Sequence, residues 1–142
     1  METTKTADAL NAGGWRQRSL AGFIGMVGPL WTRNDAEGWS YGLLATASHL
    51  NPAGLVHGGM ITTLLDHALS TIAWETAGRV ACVTVQLDTQ FVSAARAGQF
   101  LEARGRVVKA SSSLIFMQGH VLVSGAEIAT GTAILKLVKS PS

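Results

Sequence analysis

Cysteine is nearly absent from this sequence, and proline is rare. Cys82 is the single cysteine, so no disulfide can form within the chain, and a reducing cytoplasm is the expected location. The first residues lack the charged-then-apolar order of a secretory signal, which agrees with that location. No proline falls between Pro52 and Pro141, so none interrupts a long helix in the middle of the chain.

Charge is also scarce. Charged residues make up 14% of the 142 residues and apolar residues 47%, which excludes general disorder and indicates one domain with one core. Low charge favours surface that is hidden between subunits. The net charge of +2 is too small to indicate a nucleic-acid partner. The apolar run over residues 20–31 is too short to cross a membrane, so no membrane partner is expected.

Several motifs of catalytic and ligand-binding sites are missing as well. The sequence holds no phosphate-binding loop, no dinucleotide-binding glycine pattern and no Ser–His–Asp order. Its four histidines do not have the spacing of a metal site, and one cysteine adds no further ligand. We therefore expect neither a metal nor another cofactor. The histidines are His49, His57, His67 and His120.

The hydrophobic pattern predicts one long helix and about six strands. Residues 1–18 are expected to form a flexible leader and residues 19–142 a single domain, with a short helix over residues 19–26. The long helix begins after Gly58 and Gly59 and ends near Gly78. The strands are predicted at residues 30–34, 39–48, 81–91, 100–109, 113–123 and 127–138. A single apolar helix beside antiparallel strands is an α+β arrangement in which the sheet wraps the helix.

One predicted strand, residues 81–91, alternates strictly between apolar and polar side chains. This alternation predicts that Val83 and Val85 share one face of the strand with Leu87. Thr84 is expected on the opposite face.

The long helix carries one carboxylate among mostly apolar residues. Its apolar face is marked by residues at spacings of four, three and four, namely Ile61, Leu65, Ala68 and Ile72. Asp66 and Ser70 recur at a spacing of four on another side. A buried carboxylate is costly unless it has a partner. Asp66 is therefore a candidate catalytic residue, and a hydrogen-bonded structural acid is the alternative.

The two glycines before this helix suggest a second candidate group. They leave backbone N–H groups free at the positive end of the helix, where they could polarise a carbonyl or an anion. Close packing of the helix on the sheet is the alternative. Gly58 and Asp66 are separated by roughly 12 Å at about 1.5 Å per residue. If both act on one substrate carbon, they must come from different subunits related by a two-fold axis.

Three further residues are weaker candidates. Asn51 lies on the loop before the helix, where its amide could orient a water molecule or could serve an ordinary turn. Arg79 and Arg96 could bind the phosphates of a ligand, or could lie in solvent.

The segment Leu50-Asn51-Pro52-Ala53-Gly54-Leu55-Val56-His57-Gly58-Gly59, followed by Asp66, closely resembles the signature of hotdog-fold acyl-CoA thioesterases. The likeness is to the phenylacetate-degradation and 4-hydroxybenzoyl-CoA types, and it runs from about residue 22 to residue 137. It implies a hotdog fold, in which the sheet wraps one central helix, and an enzyme that hydrolyses an acyl-CoA or aryl-acyl-CoA as a homodimer or homotetramer. A non-catalytic acyl-CoA-binding protein with this fold is the alternative.

The resemblance also implies a role for each residue of the site. The N–H of Gly58 would polarise the thioester carbonyl, and Asp66 would act as general base or nucleophile. Asn51 would place the water or the carbonyl, and Thr84 would orient the attacking water. The expected substrate-binding positions are His57, which also fixes the loop, Gly59, Ser70, Arg79 and Arg96.

Overall fold

The structure is a computed structural model that describes residues 5–138 and places one helix inside a curved sheet. The helices are α1 (Ala7–Ala12), α2 (Gly22–Val27) and α3 (Gly58–Thr76), with a 3-10 turn at Ala47–His49. The strands are β1 (Arg16–Arg18), β2 (Leu30–Asp35), β3 (Gly38–Leu44), β4 (Cys82–Phe91), β5 (Phe100–Ala110), β6 (Leu114–Val123) and β7 (Ala126–Leu137).

The seven strands form one antiparallel sheet in the order β1-β2-β3-β5-β6-β7-β4. β4 follows α3 in the chain but pairs with β7, so it forms the edge of the sheet. Helix α3 crosses the inner face, where Leu64, Leu65, Ala68 and Leu69 are fully buried. The predicted α+β hotdog architecture is confirmed.

A row of glycines brings the sheet close to α3. Gly105, Gly119 and Gly131 are direct cross-strand partners on β5, β6 and β7. A Cβ atom on Gly119 would lie 2.8 Å from the Cδ2 of Leu69, and one on Gly131 would lie 2.7 Å from the Cδ2 of Leu65. These distances are too short for real contacts, so the glycines allow the two leucines to press against the backbone of the sheet.

The N-terminal segment differs from the expected flexible leader. Helix α1 and strand β1 are formed, and β1 pairs with β2, which makes seven strands where about six were predicted. Leu10 and Trp15 are buried in a second apolar cluster with Trp31 and Phe100. This burial holds residues 5–18 on the sheet. Residues 1–4 of the expected leader lie outside the described residues. The predicted helix over residues 19–26 begins only at Gly22, after the N-cap Ala21.

Strand β4 does not have the predicted facing. Val83 and Val85 are 48% and 54% exposed, whereas Thr84 and Leu87 are half-buried against the helix. A bulge between Thr84 and Gln86 shifts the register, so the strict alternation of the sequence is not kept. The prediction that Val83 and Val85 share a face with Leu87 is therefore wrong. Thr84 points toward α3 as a result.

Candidate active site

The carboxylate of Asp66 lies in the middle of α3, on the side of the helix that faces β4. The hydroxyl of Thr84 donates a hydrogen bond to Asp66 Oδ1 at 2.7 Å. The Oγ of Ser70 lies 3.3 Å from the Oγ of Thr84. Because the proton of Thr84 is directed at Asp66, the hydroxyl of Ser70 is the donor to Thr84. The three side chains form a half-buried chain of hydrogen bonds that ends on one carboxylate oxygen.

The start of α3 presents one free backbone N–H. His57 caps the helix, and its Nδ1 accepts a hydrogen bond from the Gly59 N–H at 2.8 Å. The N–H of Met60 donates to the backbone oxygen of His57 at 2.9 Å. Within residues 5–138, the N–H of Gly58 has no partner. Of the two glycines, Gly58 alone therefore keeps a donor for a ligand, and Gly59 is used by the cap.

Gly58 lies beside an aromatic ring at the end of β4. A Cβ atom on Gly58 would come within 3.2 Å of the Cζ of Phe91, so a larger side chain would displace the ring. Phe91 is 53% exposed. The free N–H of Gly58 thus sits next to apolar surface, which strengthens a hydrogen bond to an anionic oxygen.

The side chain of Asn51 is partly used by its own loop. Its Oδ1 accepts hydrogen bonds from the N–H groups of Ala53 at 3.0 Å and Leu55 at 3.1 Å. Within the described part of the chain, its Nδ2 donates no hydrogen bond. The turn role is therefore observed for the carbonyl oxygen of the amide, and its NH₂ group remains for a ligand or a water molecule.

The two arginine candidates lie near opposite ends of α3. Arg79 follows the C-terminal end, pairs with Glu75 at 3.5 Å and has a side chain that is 69% exposed. Arg96 is exposed beside Ala95, whose backbone oxygen accepts from the N–H of Val56 on the loop that enters the helix. The helix has 19 residues and is about 28 Å long at about 1.5 Å per residue, so one phosphate cannot reach both in one chain.

Burial shifts the pKa values of two side chains, His67 and Tyr41, in favour of their neutral forms. Burial lowers the pKa of His67, although the charge of Asp66 opposes this effect. Burial, reinforced by Glu75, raises the pKa of Tyr41 to about 12. The two rings meet edge to face, with centroids 5.7 Å apart. His67 is thus not a cationic partner for Asp66 at neutral pH.

The surface of the described residues carries cavities outside the core. A cavity of about 290 Å³ is lined by Ser70, Thr71, Trp74, Ala81 and Cys82, next to the hydroxyl chain of Asp66. A cavity of about 580 Å³ lies on the outer face of the sheet, over the glycine row, and none of the predicted site residues lines it.

In residues 5–138 no three His, Cys, Asp or Glu side chains meet in a group that could hold a metal. No helix in that range is long and apolar enough to cross a membrane.

The structure therefore joins some of the predicted site residues and separates others. Asp66, Thr84 and Ser70 are linked directly, but Gly58 and Asn51 belong to the distant start of the helix. Ser70, a predicted substrate-binding residue, is bonded to Thr84 and also lines the cavity of about 290 Å³. The spacing of four between Asp66 and Ser70 was the sequence signal for this link.

The fold is a hotdog architecture whose central helix carries the carboxylate of Asp66, and within residues 5–138 the N–H of Gly58 at the start of that helix has no partner. The family model described as Thioesterase superfamily matches residues 53–129, which is more than half of the chain. The chain belongs to the thioesterase superfamily and is a thioester hydrolase.

Proteins similar to this chain include one sequence relative and two solved structures. A Pseudomonas aeruginosa protein named as a suspected esterase is 28% identical over 116 residues, which cover 80% of this chain and 87% of that protein. The phenylacetic acid degradation protein PaaI of Thermus thermophilus, solved as a mutant, is 25% identical, with a TM-score of 0.71 over 82% of this chain and 98% of its own. A Bacillus halodurans protein solved with CoA is 26% identical, with a TM-score of 0.65 over 70% of this chain and 66% of its own.

Proposed function

We propose that this enzyme hydrolyses the thioester of an acyl-CoA or aryl-acyl-CoA to the free acid and CoA, in the cytoplasm. The observation that carries the proposal is the hydrogen bond from Thr84 to Asp66, which fixes a half-buried carboxylate on the central helix. The CoA bound to the Bacillus halodurans protein and the name of the Thermus thermophilus protein support this class of substrate.

Asp66 acts as general base or as nucleophile. Thr84 holds Oδ1, so Oδ2 is left to take a proton from the attacking water or to attack the thioester carbon itself. Either attack places negative charge on the carbonyl oxygen, and the free N–H of Gly58 stabilises that charge. Collapse of the intermediate breaks the carbon–sulfur bond and releases the thiolate of CoA. When water attacks, the other product is the free acid. When Asp66 attacks, the acyl group stays on Asp66 as a mixed anhydride, which water then hydrolyses to the free acid and the restored carboxylate. Asn51 places the water or the carbonyl through its NH₂ group.

The site is shared between two subunits. Gly58 and Asp66 are roughly 12 Å apart along one helix, so two antiparallel α3 helices are needed to bring them to one carbon. Strand β4 supports this arrangement, since it is the edge of the sheet and exposes Val83, Val85 and Phe91. Exposed apolar side chains on a long edge strand favour pairing with a second copy. The homodimer therefore contains two equivalent sites.

The same dimer brings the arginines together. In antiparallel helices, Arg79 of one subunit lies near Arg96 of the partner, because each marks the opposite end of α3. Both side chains are exposed, as expected for groups that bind the phosphates of CoA across the surface. His57 and Gly59 shape the start of α3 and so contact the thioester end of the substrate.

A homotetramer made of two dimers completes the proposed assembly. The outer face of the sheet carries a cavity that is free in the single chain. Across this face, Arg106, Gln118, Thr132 and Asp88 are successive cross-strand partners, with opposite charges at the two ends of the row. A second copy turned about an axis parallel to the strands would place Arg106 opposite Asp88, which favours association of two copies.

The function is tested with a panel of short, long and aromatic acyl-CoAs, with release of the free thiol as the measurement. We expect turnover of at least one member, and the same rate in the presence of EDTA. Binding of acyl-CoA without hydrolysis would favour the non-catalytic alternative. Loss of turnover in EDTA that zinc or magnesium restores would contradict the metal-free mechanism.

A further inference from the structure

His49 is a buried histidine that the proposed mechanism does not use. It is 7% exposed and ends the 3-10 turn that precedes the loop of Asn51. Its Nδ1 accepts a hydrogen bond from the backbone N–H of Thr46 at 3.0 Å. Its Nε2 lies 2.5 Å from the backbone oxygen of Val27, the last residue of α2. Both ring nitrogens are therefore bound to backbone groups of different segments.

These partners fix the tautomer of His49. A carbonyl oxygen can only accept, so Nε2 must carry the proton that is donated to Val27. An N–H group can only donate, so Nδ1 must be bare to accept from Thr46. The ring is thus a neutral clamp with one donor and one acceptor, and each serves a different backbone segment.

The backbone of His49 closes the loop that leads to Gly58. Its carbonyl oxygen accepts from the N–H of His57 at 2.8 Å. Leu50 and Val56 form a β-bridge immediately inside this pair. Residues 49–57 therefore form a closed loop with His49 at its base. The residue opposite His49 is the N-cap of α3, and the next residue is Gly58.

We infer that His49 is a positioning residue, which aims the Gly58 N–H by anchoring the base of this loop to the end of α2. The inference rests on the proposed function, because it assigns the Gly58 N–H to the thioester carbonyl. His57 sets the direction of the first turn of α3, and its backbone is bonded to His49. A shift of the loop base moves the cap and with it the free N–H, and a misplacement of about 1 Å can cost about 100-fold in rate.

Two amide substitutions separate the two halves of the clamp. His49→Gln keeps an N–H near the position of Nε2 and retains the bond to Val27, whereas His49→Asn keeps only an acceptor near Nδ1. With phenylacetyl-CoA and butyryl-CoA as substrates, we expect His49→Asn to lower kcat about 10-fold to 100-fold with KM within twofold. His49→Gln should recover most of kcat. A raised KM with normal kcat, or equal kcat in both variants and the unaltered protein, would overturn the inference.

A second measurement does not need activity. Amide hydrogen exchange reports the bond from the Gly59 N–H to His57, which depends on the orientation of the same cap. We expect this amide to exchange at least about 10-fold faster in His49→Asn than in His49→Gln, with no change at the Gly119 amide as control. Equal exchange at Gly59 in the two variants would overturn the inference. If the unaltered protein hydrolyses no acyl-CoA, the proposed function fails, and the exchange result still decides the role of His49. If His49→Asn is too unstable for kinetics, the exchange measurement alone tests the inference. Faster amide exchange confined to residues 49–59 would support the role of His49, and equally faster exchange across the chain would contradict it.

Discussion

Helix α3 contacts two parts of the sheet in different ways. On β5, β6 and β7, glycines lie against two leucines of the helix. On β4, a hydroxyl group donates to a carboxylate of the helix. At the centre of the sheet, Gly119 and Gly131 let Leu65 and Leu69 pack without a gap. At the edge, Thr84 donates to Asp66, and Val83 and Val85 remain exposed nearby. The two sides of one helix therefore serve different purposes.

The centre of the sheet is buried within one chain, whereas the edge strand β4 exposes apolar side chains. Leu64, Leu65 and Leu69 are 0% exposed without any partner subunit. The edge strand instead leaves apolar side chains in solvent and carries Thr84 of the proposed site. The single chain thus contains a buried core, and under the proposed function a second copy completes the active site. The predictions below disturb one side at a time.

Asp66→Asn should give the largest change, on the edge side. The amide keeps the shape and the hydrogen bond from Thr84 but cannot act as a base or a nucleophile. We expect turnover to fall by about 1,000-fold or more, with thermal unfolding almost unchanged. The control is Asp8→Asn, an exposed acid on α1 outside the proposed site, which should keep full activity. A loss of only a few-fold in Asp66→Asn would make Asp66 a structural acid.

Gly119→Ala should disturb the centre of the sheet. The added Cβ would lie 2.7 Å from the backbone oxygen of Arg104 and 2.8 Å from Leu69. We expect the free energy of unfolding to fall by about 1–3 kcal/mol, measured by chemical denaturation. Thr132→Ala on the exposed side of β7 is the control and should change it by less than about 0.5 kcal/mol. Equal stability of the two variants would show that the glycine row is not needed for close packing.

Thr84→Val removes the hydroxyl that holds Asp66 and keeps the size of the side chain. We expect kcat to fall about 10-fold to 100-fold, because the carboxylate loses its fixed orientation. Thr84→Ser keeps the hydroxyl and should stay within a few-fold of the unaltered enzyme. If Thr84→Ser loses as much activity as Thr84→Val, the methyl group rather than the hydrogen bond matters.

His67 should give the smallest effect, through pH. Its pKa is lowered in the folded protein, mainly by burial, so the unfolded chain binds the proton more readily. Stability is therefore full above the ordinary pKa of 6.5 and is lost as the pH falls below it toward the lowered pKa. His67→Gln should flatten the fall in melting temperature between pH 7 and pH 5. His120, which is half-buried with its Nδ1 2.8 Å from Glu127 Oε1, serves as control, and an equal change in His120→Gln would contradict the assignment.

The sequence predicted the parts of the fold that follow from regular periods. The spacings of Ile61, Leu65 and Ala68 indicated α3, and their burial confirms the predicted face. The bulge in β4 was not predicted, because the apolar–polar alternation of the sequence continues without a break through the bulged residues. The helix and strand formed by residues 5–18 were also not predicted, since Leu10 and Trp15 are isolated apolar residues that belong to no periodic pattern.

The candidate site divides in the same way. Asp66 and Gly58 could be selected from the sequence, because a carboxylate on an apolar helix and a glycine at a helix start are local signals. The bond between Asp66 and Thr84 is not local, since it depends on β4 folding back along α3 as the edge strand. The use of the Gly59 N–H by His57 depends on one side-chain rotamer, which no sequence pattern reveals.

The most direct test of the shared site is complementation between two inactive proteins. One subunit carries Asp66→Asn, and the other carries Asn51→Ala together with Gly58→Val. If Asp66 and Gly58 of each site come from different chains, as proposed, one site of a mixed dimer collects every defect and the other collects none. We expect mixing to restore up to half of the activity of the unaltered dimer. If native mass spectrometry shows that the subunits exchange and no activity returns, the shared site is contradicted.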